Sequence, residues 1–169
     1  MISIFGIISI AIAVLSVVAI VLHNRVMGKR TPVDTLSAEL ESLLRDRVEM
    51  LHQYSRPGSE LRELCDMCID LDLESMLKAL PEIGRAFDDE REAGNLIISE
   101  PLEEYPEAAM DNYVSMAKLD NNTQAIQEAT LSLNQAIDAY NDFITNRFPA
   151  VFMAQILGLN TEEPYHVLK

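Results

Sequence analysis

The sequence is poor in the residues that build sheets, metal sites and phosphate-binding loops. It has no tryptophan, six glycines, three histidines and two cysteines among 169 residues. Few glycines and no tryptophan favour helices over a sheet. No HExxH motif, glycine-rich phosphate loop or serine nucleophile elbow is present. A hydrolase or transferase would need parts without a recognisable motif, so we predict a protein that is not an enzyme and uses no cofactor.

The first 24 residues contain no charged side chain. Residues 2–22 are Ile, Val, Leu, Ala, Phe and Gly, interrupted only by three serines. At about 1.5 Å per residue such a helix spans roughly 30 Å, the thickness of the hydrocarbon core of a bilayer. A cleaved signal peptide would need a basic start, a shorter apolar core and a small-residue cleavage site, and none is present. Residues 1–24 are therefore predicted to be an uncleaved transmembrane anchor.

Basic side chains lie on one side of this anchor only. Arg25, Lys29 and Arg30 follow the apolar run, within a juxtamembrane linker at 25–32, and no basic residue precedes it. The positive-inside rule then predicts a single-pass protein of the cell membrane, with the N-terminus outside and residues 33–169 in the cytoplasm.

The remainder of the chain has an excess of acid. Residues 31–169 hold ten basic and 27 acidic side chains, a formal net charge of −17. Such a surface repels nucleic acid, so no nucleic-acid partner is expected. The acidic side chains are interpreted as a solvated helical exterior, with a docking surface for a basic partner as the alternative.

Apolar residues recur at helical spacing along this acidic part. The pattern predicts an all-α protein, with the transmembrane helix followed by an antiparallel bundle of about four helices. Pro81 marks an end or a kink, Asp120 to Thr123 a turn or helix caps, and Gly158 a C-cap. The predicted helices span about 31–54, 60–80, a stretch opening at Pro106, 126–148 and a short apolar piece at 150–158.

Two cysteines, Cys65 and Cys68, stand at CxxC spacing. Zinc would need about two further ligands, and no second CxxC or HxxxH pair supplies them. A redox CxxC usually opens a helix, whereas this pair falls inside an amphipathic one. Both are therefore interpreted as buried core residues.

Asparagine occurs twice, seven residues apart, on the last long helix. Asn134 and Asn141 lie just beyond the edge of an apolar stripe, which consists of Ile126, Leu133, Ile137, Tyr140, Ile144 and Phe148. Each amide could bond to a neighbouring helix and set its register. Alternatively, the pair could line a groove that receives another chain or a polar ligand.

These residues resemble the bacterial LemA family. The similar segments are "EEYPEAAMDNY", "LNQAIDAYNDFITNRFPAVFMAQILGL" and "EPYHVL", with Leu133 in place of the first of two tyrosines. The matching positions are Tyr105-Pro106, Leu133-Asn134, Tyr140-Asn141, Phe148-Pro149, Gly158 and Tyr165. The resemblance implies a membrane span with its short tail outside, a cytoplasmic LemA-like helical domain at 33–169, and an organising role at membranes.

The leading hypothesis is a membrane-anchored scaffold or interaction module that binds protein partners or copies of itself. Its candidate interaction or register residues are Asn134, Tyr140, Asn141, Phe148, Pro149, Tyr105 and Pro106. The alternative is a membrane organisation or remodelling factor whose apolar segment 150–158 contacts lipid. Packing of that segment beneath the bundle is the competing interpretation.

Overall fold

The computed structural model describes residues 4–96 and 116–166, and all regular structure in these ranges is α-helix. The all-α class is confirmed for this part of the chain. The described residues fall into two compact units: 4–36 with 132–165, here the first unit, and 37–96 with 116–131 and 166, the second unit. The helices are α1 (Ile4–Tyr54), α2 (Glu60–Cys68), α3 (Leu73–Glu92), α4 (Met116–Asn146) and α5 (Ala150–Leu157).

Helix α1 runs without interruption from the apolar stretch to Tyr54. The basic residues at 25–32 are helical, although Pro32 lies among them and removes one backbone hydrogen bond. Val26 and Val33, two turns apart, are both buried in the first unit. The burial of Val26 and Val33 stabilises the helix on both sides of Pro32. The proline therefore does not break the helix.

The core of the first unit takes its largest side chains from the second half of α4. Leu133, Ile137, Tyr140 and Ile144 of the predicted stripe are all buried. Phe148 was predicted on the same stripe, but this is wrong, since α4 ends at Asn146 and Phe148 is 90% exposed. Gly158 ends α5 with a left-handed backbone, φ 63°, which glycine adopts without a Cβ clash. The predicted C-cap is therefore confirmed.

The second unit packs α2 and α3 against residues 37–54 of α1. Its buried core includes Val48, Leu51, Leu61, Ile83 and Phe87. Glu90 of α3 is almost fully buried within it, and one of its carboxylate oxygens accepts a hydrogen bond of 3.2 Å from the backbone N–H of Leu61. This carboxylate therefore caps the first turn of α2 from another helix.

The predicted helix at 60–80 is two helices in the structure. α2 ends at Cys68, and the side chain of Asp72 caps α3 by accepting a 2.8 Å hydrogen bond from the N–H of Ser75. Arg45 of α1 donates to the carbonyls of Ile69 and Leu71 in the intervening turn. These tertiary bonds satisfy the end of α2, so the chain breaks there and α3 continues through Pro81.

Asp120 to Thr123 form neither a turn nor a cap, because α4 passes straight through them. Asn122 donates to the carbonyl of Leu43 at 3.1 Å, and Thr123 accepts from the guanidinium of Arg47 at 2.7 Å. Burial lowers the pKa of Arg47, while Asp120 opposes that shift. The polar side chains thus join α4 to α1 inside the second unit, which local propensity cannot reveal.

Candidate functional site

Asn134 and Asn141 lie on one edge of α4 in the first unit, beside the buried stripe of Leu133, Ile137 and Tyr140. Both asparagines are half-buried. Seven helical residues separate them by about 10 Å along the axis, at about 1.5 Å per residue. Their two amides therefore point to the same side of α4 from positions two turns apart.

Each amide forms a pair of hydrogen bonds with a single backbone residue of the C-terminal segment. Asn141 donates to the carbonyl of Glu162 at 2.8 Å and accepts from its N–H at 3.0 Å. Asn134 donates to the carbonyl of Tyr165 at 2.7 Å and accepts from its N–H at 2.8 Å. Each side chain thus supplies the donor and the acceptor that a neighbouring strand would supply.

The spacing of the two pairs explains why asparagine recurs after seven residues. Glu162 and Tyr165 are three residues apart in a segment without regular structure. Three residues of extended chain cover about 10 Å, at about 3.3 Å each. The same distance separates Asn134 from Asn141 on α4. Two turns of helix and three extended residues therefore have the same length. We call this edge of α4, which holds segment 160–165, the asparagine groove.

Tyr140 and Arg30 complete the contacts at this groove. The hydroxyl of the buried Tyr140 lies 3.4 Å from the carbonyl of Asn160, to which it donates. Burial raises the pKa of Tyr140, and the nearby Arg30 opposes that shift. Arg30 also lies 3.9 Å from the carboxylate of Glu162 and 3.8 Å from that of Asp34. The C-terminal segment is therefore held by α4 and by a cation of α1.

The register interpretation expected the two asparagines to bond to a neighbouring helix, and they do not. Their partners are backbone groups of the chain's own C-terminal segment. The four hydrogen bonds are made to backbone atoms of the segment and do not depend on which side chains it carries. The sequence did not identify Asn160, Glu162 and Tyr165 as partners. These partners could have been predicted from the equal lengths of two helical turns and three extended residues.

Among the other predicted residues that the structure describes, only Arg30 contacts segment 160–165. Phe148 is exposed, and the half-buried Pro149 stands at the start of α5. Arg25 and Lys29 are exposed on α1, whereas Arg30 is half-buried beside Glu162. The remaining two, Tyr105 and Pro106, lie outside the described residues.

Cys65 and Cys68 are free thiols in the core of the second unit. Burial, followed by the charges of neighbouring groups, raises the pKa of Cys65 to about 12, and burial also raises that of Cys68. Within residues 4–96 and 116–166, no three His, Cys, Asp or Glu side chains come together as metal ligands. The two cysteines therefore pack as small apolar residues.

Comparison with known proteins gives no match to a family model, a curated protein or a solved structure. The function is therefore inferred from the contacts within the chain itself.

Replacing Asn141 or Asn134 with alanine should release the C-terminal segment while α4 stays folded. Each substitution removes two hydrogen bonds, a net loss of about 1–3 kcal/mol. Amide hydrogen exchange at Glu162 should accelerate about 10- to 100-fold in Asn141→Ala, and exchange at Tyr165 should do so in Asn134→Ala. Exchange is measured by NMR on the full chain in detergent micelles.

Asn146→Ala is the matched control, because the amide of Asn146 bonds only to the exposed side chain of Asp142. It should leave exchange at Glu162 and Tyr165 unchanged. Unaltered exchange in both test variants would contradict the groove. Equal acceleration throughout α4 would show that these asparagines hold the helix itself rather than the segment.

The cysteines should resist thiol reagents in the folded protein. With a pKa of about 12, only about one Cys65 side chain in ten thousand is a thiolate at pH 8. Ellman's reagent should therefore react slowly at pH 8 and rapidly after unfolding in guanidinium. The free energy of unfolding should also fall as the pH rises above about 8.5, because the unfolded thiols then release protons that the folded chain retains.

Cys65→Ala is the control for the pH effect, since it removes the most strongly shifted thiol and should reduce this slope. Rapid reaction of both thiols in the folded protein would instead indicate an accessible redox or metal-binding pair.

Proposed function

We propose that this protein is a single-pass, membrane-anchored scaffold whose cytoplasmic helical part binds protein partners or copies of itself without catalysing a reaction. One observation carries the proposal. By length and composition α1 could cross a membrane, and none of its most apolar stretch is buried against the rest of the described chain. Nearly every large apolar side chain from Ile4 to Val21 is exposed, which in water would be unfavourable.

A soluble core helix and a cleaved signal sequence both fit this stretch less well than an anchor does. The core helix of a soluble protein is mostly buried, whereas this stretch is not. A signal sequence is removed by cleavage after its apolar core. Here the same helix continues into Val26 and Val33, which are buried in the first unit. Cleavage after the stretch would cut a helix just before it packs, which favours a retained anchor.

The orientation follows from the basic flank. Arg25 and Lys29 are exposed directly after the apolar stretch, and Arg30 lies one residue further on. Positive residues next to a span are retained in the cytoplasm. We therefore place the groove and the second unit on the cytoplasmic side of the cell membrane.

A binding role is favoured by the chemistry of the asparagine groove. Its amides recognise backbone, which is how proteins bind extended segments of other chains, and they provide neither a nucleophile nor a general base. Membership of the LemA family, with an antiparallel bundle in residues 33–169, is part of the same proposal. It rests on the resemblance in sequence, of which Asn134 and Tyr165 are two positions.

The double variant Val14→Asp, Val18→Asp should release the protein from membranes. Each aspartate at the centre of a span costs about 2.5–3.5 kcal/mol of insertion free energy. After alkaline carbonate extraction the wild-type chain should remain in the pellet and the variant should move to the supernatant. Leu131→Asp replaces an exposed apolar side chain in the second unit and should stay in the pellet.

Release of the wild-type chain by carbonate would overturn the anchor. Intact cells test the orientation, because a protease added outside them should leave the cytoplasmic part undigested. Digestion of that part in intact cells would reverse the topology.

Photo-crosslinking in native membranes should capture a discrete protein species on the full-length chain. The same species should be lost with Val14→Asp, Val18→Asp, because anchoring concentrates the chain beside its partners. A folded wild-type chain that yields no crosslinked partner, and no crosslinked copy of itself, would contradict the scaffold function while leaving the anchor in place.

A further inference from the structure

Helix α5 has a buried side and an exposed apolar side. Ala150 and Ala154 are buried in the first unit. Phe152 and Ile156 are 61% and 62% exposed, and Phe148, four residues before Phe152, is 90% exposed. Phe152 and Ile156, four residues apart in α5, lie on one side of the helix, and Phe148 is exposed in the turn that precedes it. No charged side chain occurs between Arg147 and Glu162. We call Phe148, Phe152 and Ile156 the α5 apolar face.

The sequence left open whether segment 150–158 packs under the helices or contacts lipid. Only the two small alanines are buried in α5, Val151 and Met153 are half-buried, and the large side chains of Phe152 and Ile156 are exposed. A packed segment would have the reverse pattern, because burying phenylalanine and isoleucine removes far more apolar surface from water than burying alanine. The α5 apolar face is therefore without a partner inside the described part of the chain.

Both ends of α5 are joined by short connections to residues that bond to the segment beside Arg30 of the basic flank. The end of the helix, Leu157, is three residues from Asn160, so it lies within about 10 Å of that residue along the chain. Asn160 accepts from the hydroxyl of Tyr140, and Arg30 lies 3.9 Å from Glu162. At its other end α5 follows α4, whose last residue is one helical turn and a half beyond Asn141. The short connections keep α5 near Arg30.

Arg30 belongs to the flank that marks the boundary between lipid and water in the proposed anchor. An apolar, partly aromatic helix face held at that boundary is typical of interfacial helices, which insert about 5–10 Å among headgroups and acyl chains. The exposed Arg25 and Lys29 on the same flank would meet lipid headgroups there. Continuity with the membrane span thus identifies the lipid bilayer, rather than another protein, as the occupant of the α5 apolar face.

We propose that α5 lies in the membrane interface, with Phe148, Phe152 and Ile156 inserted among the acyl chains of the bilayer that α1 crosses. This inference rests on the proposed anchor and extends it. The protein then contacts lipid at two places, once along the span and once through α5. The asparagine groove, which holds the segment directly after α5, is thereby kept at the membrane surface.

The absence of tryptophan gives a direct test, because one introduced tryptophan reports on one site. Phe152→Trp, Ile12→Trp and Met67→Trp are made in the full chain and reconstituted into phosphatidylcholine vesicles with or without brominated acyl chains. Ile12 lies in the span, and Met67 is an exposed apolar residue of the second unit. Bromine quenches only tryptophan that reaches the acyl region. We expect Phe152→Trp and Ile12→Trp to lose about half or more of their emission, and Met67→Trp to keep it, as insertion to this depth requires.

The three positions separate the failure of the inference from the failure of the anchor. Quenching at Ile12→Trp without quenching at Phe152→Trp would overturn the lipid contact of α5 and retain the span. No quenching at either would overturn both. A blue-shifted but unquenched Phe152→Trp would assign the face to a protein contact and also refute the inference. Equal quenching at Met67→Trp would mean adsorption of the whole chain rather than insertion of α5.

Phe148→Trp supplies a second reporter in case position 152 does not tolerate the larger ring. Phe148 is 90% exposed, so a larger side chain there displaces nothing. It should be quenched to a similar degree as Phe152→Trp, and emission typical of water at both positions would refute the inference.

Discussion

The structure depends on the continuity of α1, which is helical from Ile4 to Tyr54. In the proposed span every N–H and C=O would be satisfied within the helix, because lipid offers no hydrogen-bond partners. What is specific to this chain is that the helix does not end at the basic flank. The helix continues through Pro32, and its residues Val26 and Val33 are buried in the first unit. The side chains that pack this unit are therefore positioned relative to the proposed span by the helix itself, without a flexible linker.

The asparagine groove extends this positioning to the C-terminal segment. An extended segment without regular structure cannot satisfy its own backbone groups, and beside a helix it has no strand to pair with. Asn134 and Asn141 supply the missing partners at the spacing of the segment. Leucine or alanine at either position would remove both bonds, at a net cost of about 1–3 kcal/mol. These two positions are polar for that reason.

Periodicity in the sequence was enough to predict the helical class and the buried stripe of α4 from Leu133 to Ile144, and a glycine after the last apolar piece predicted the cap at Gly158. Periodicity failed where distant residues decide the local structure. Arg45 satisfies the end of α2 from 24 residues away, and the buried Glu90 caps the same helix from α3. Pro81 and the Asp120 to Thr123 stretch lie inside helices because tertiary contacts outweigh propensities worth about 3 kcal/mol or less per residue. The asparagines were recognised as unusual, but their partners lie in a segment that has no periodic pattern.

The stability of α5 depends on the asparagine groove. Segment 147–159 is a loop whose ends are α4 and the pair formed by Asn141 with Glu162, so the amide bonds close the loop that contains α5. Without that closure, an eight-residue helix would be marginal in water. With it, α5 buries two alanines inward and is left with an outward stripe that gains only if another apolar phase covers it. Backbone recognition by two asparagines thus holds an otherwise unstable apolar helix at the position where, in the proposed arrangement, the membrane would stabilise it.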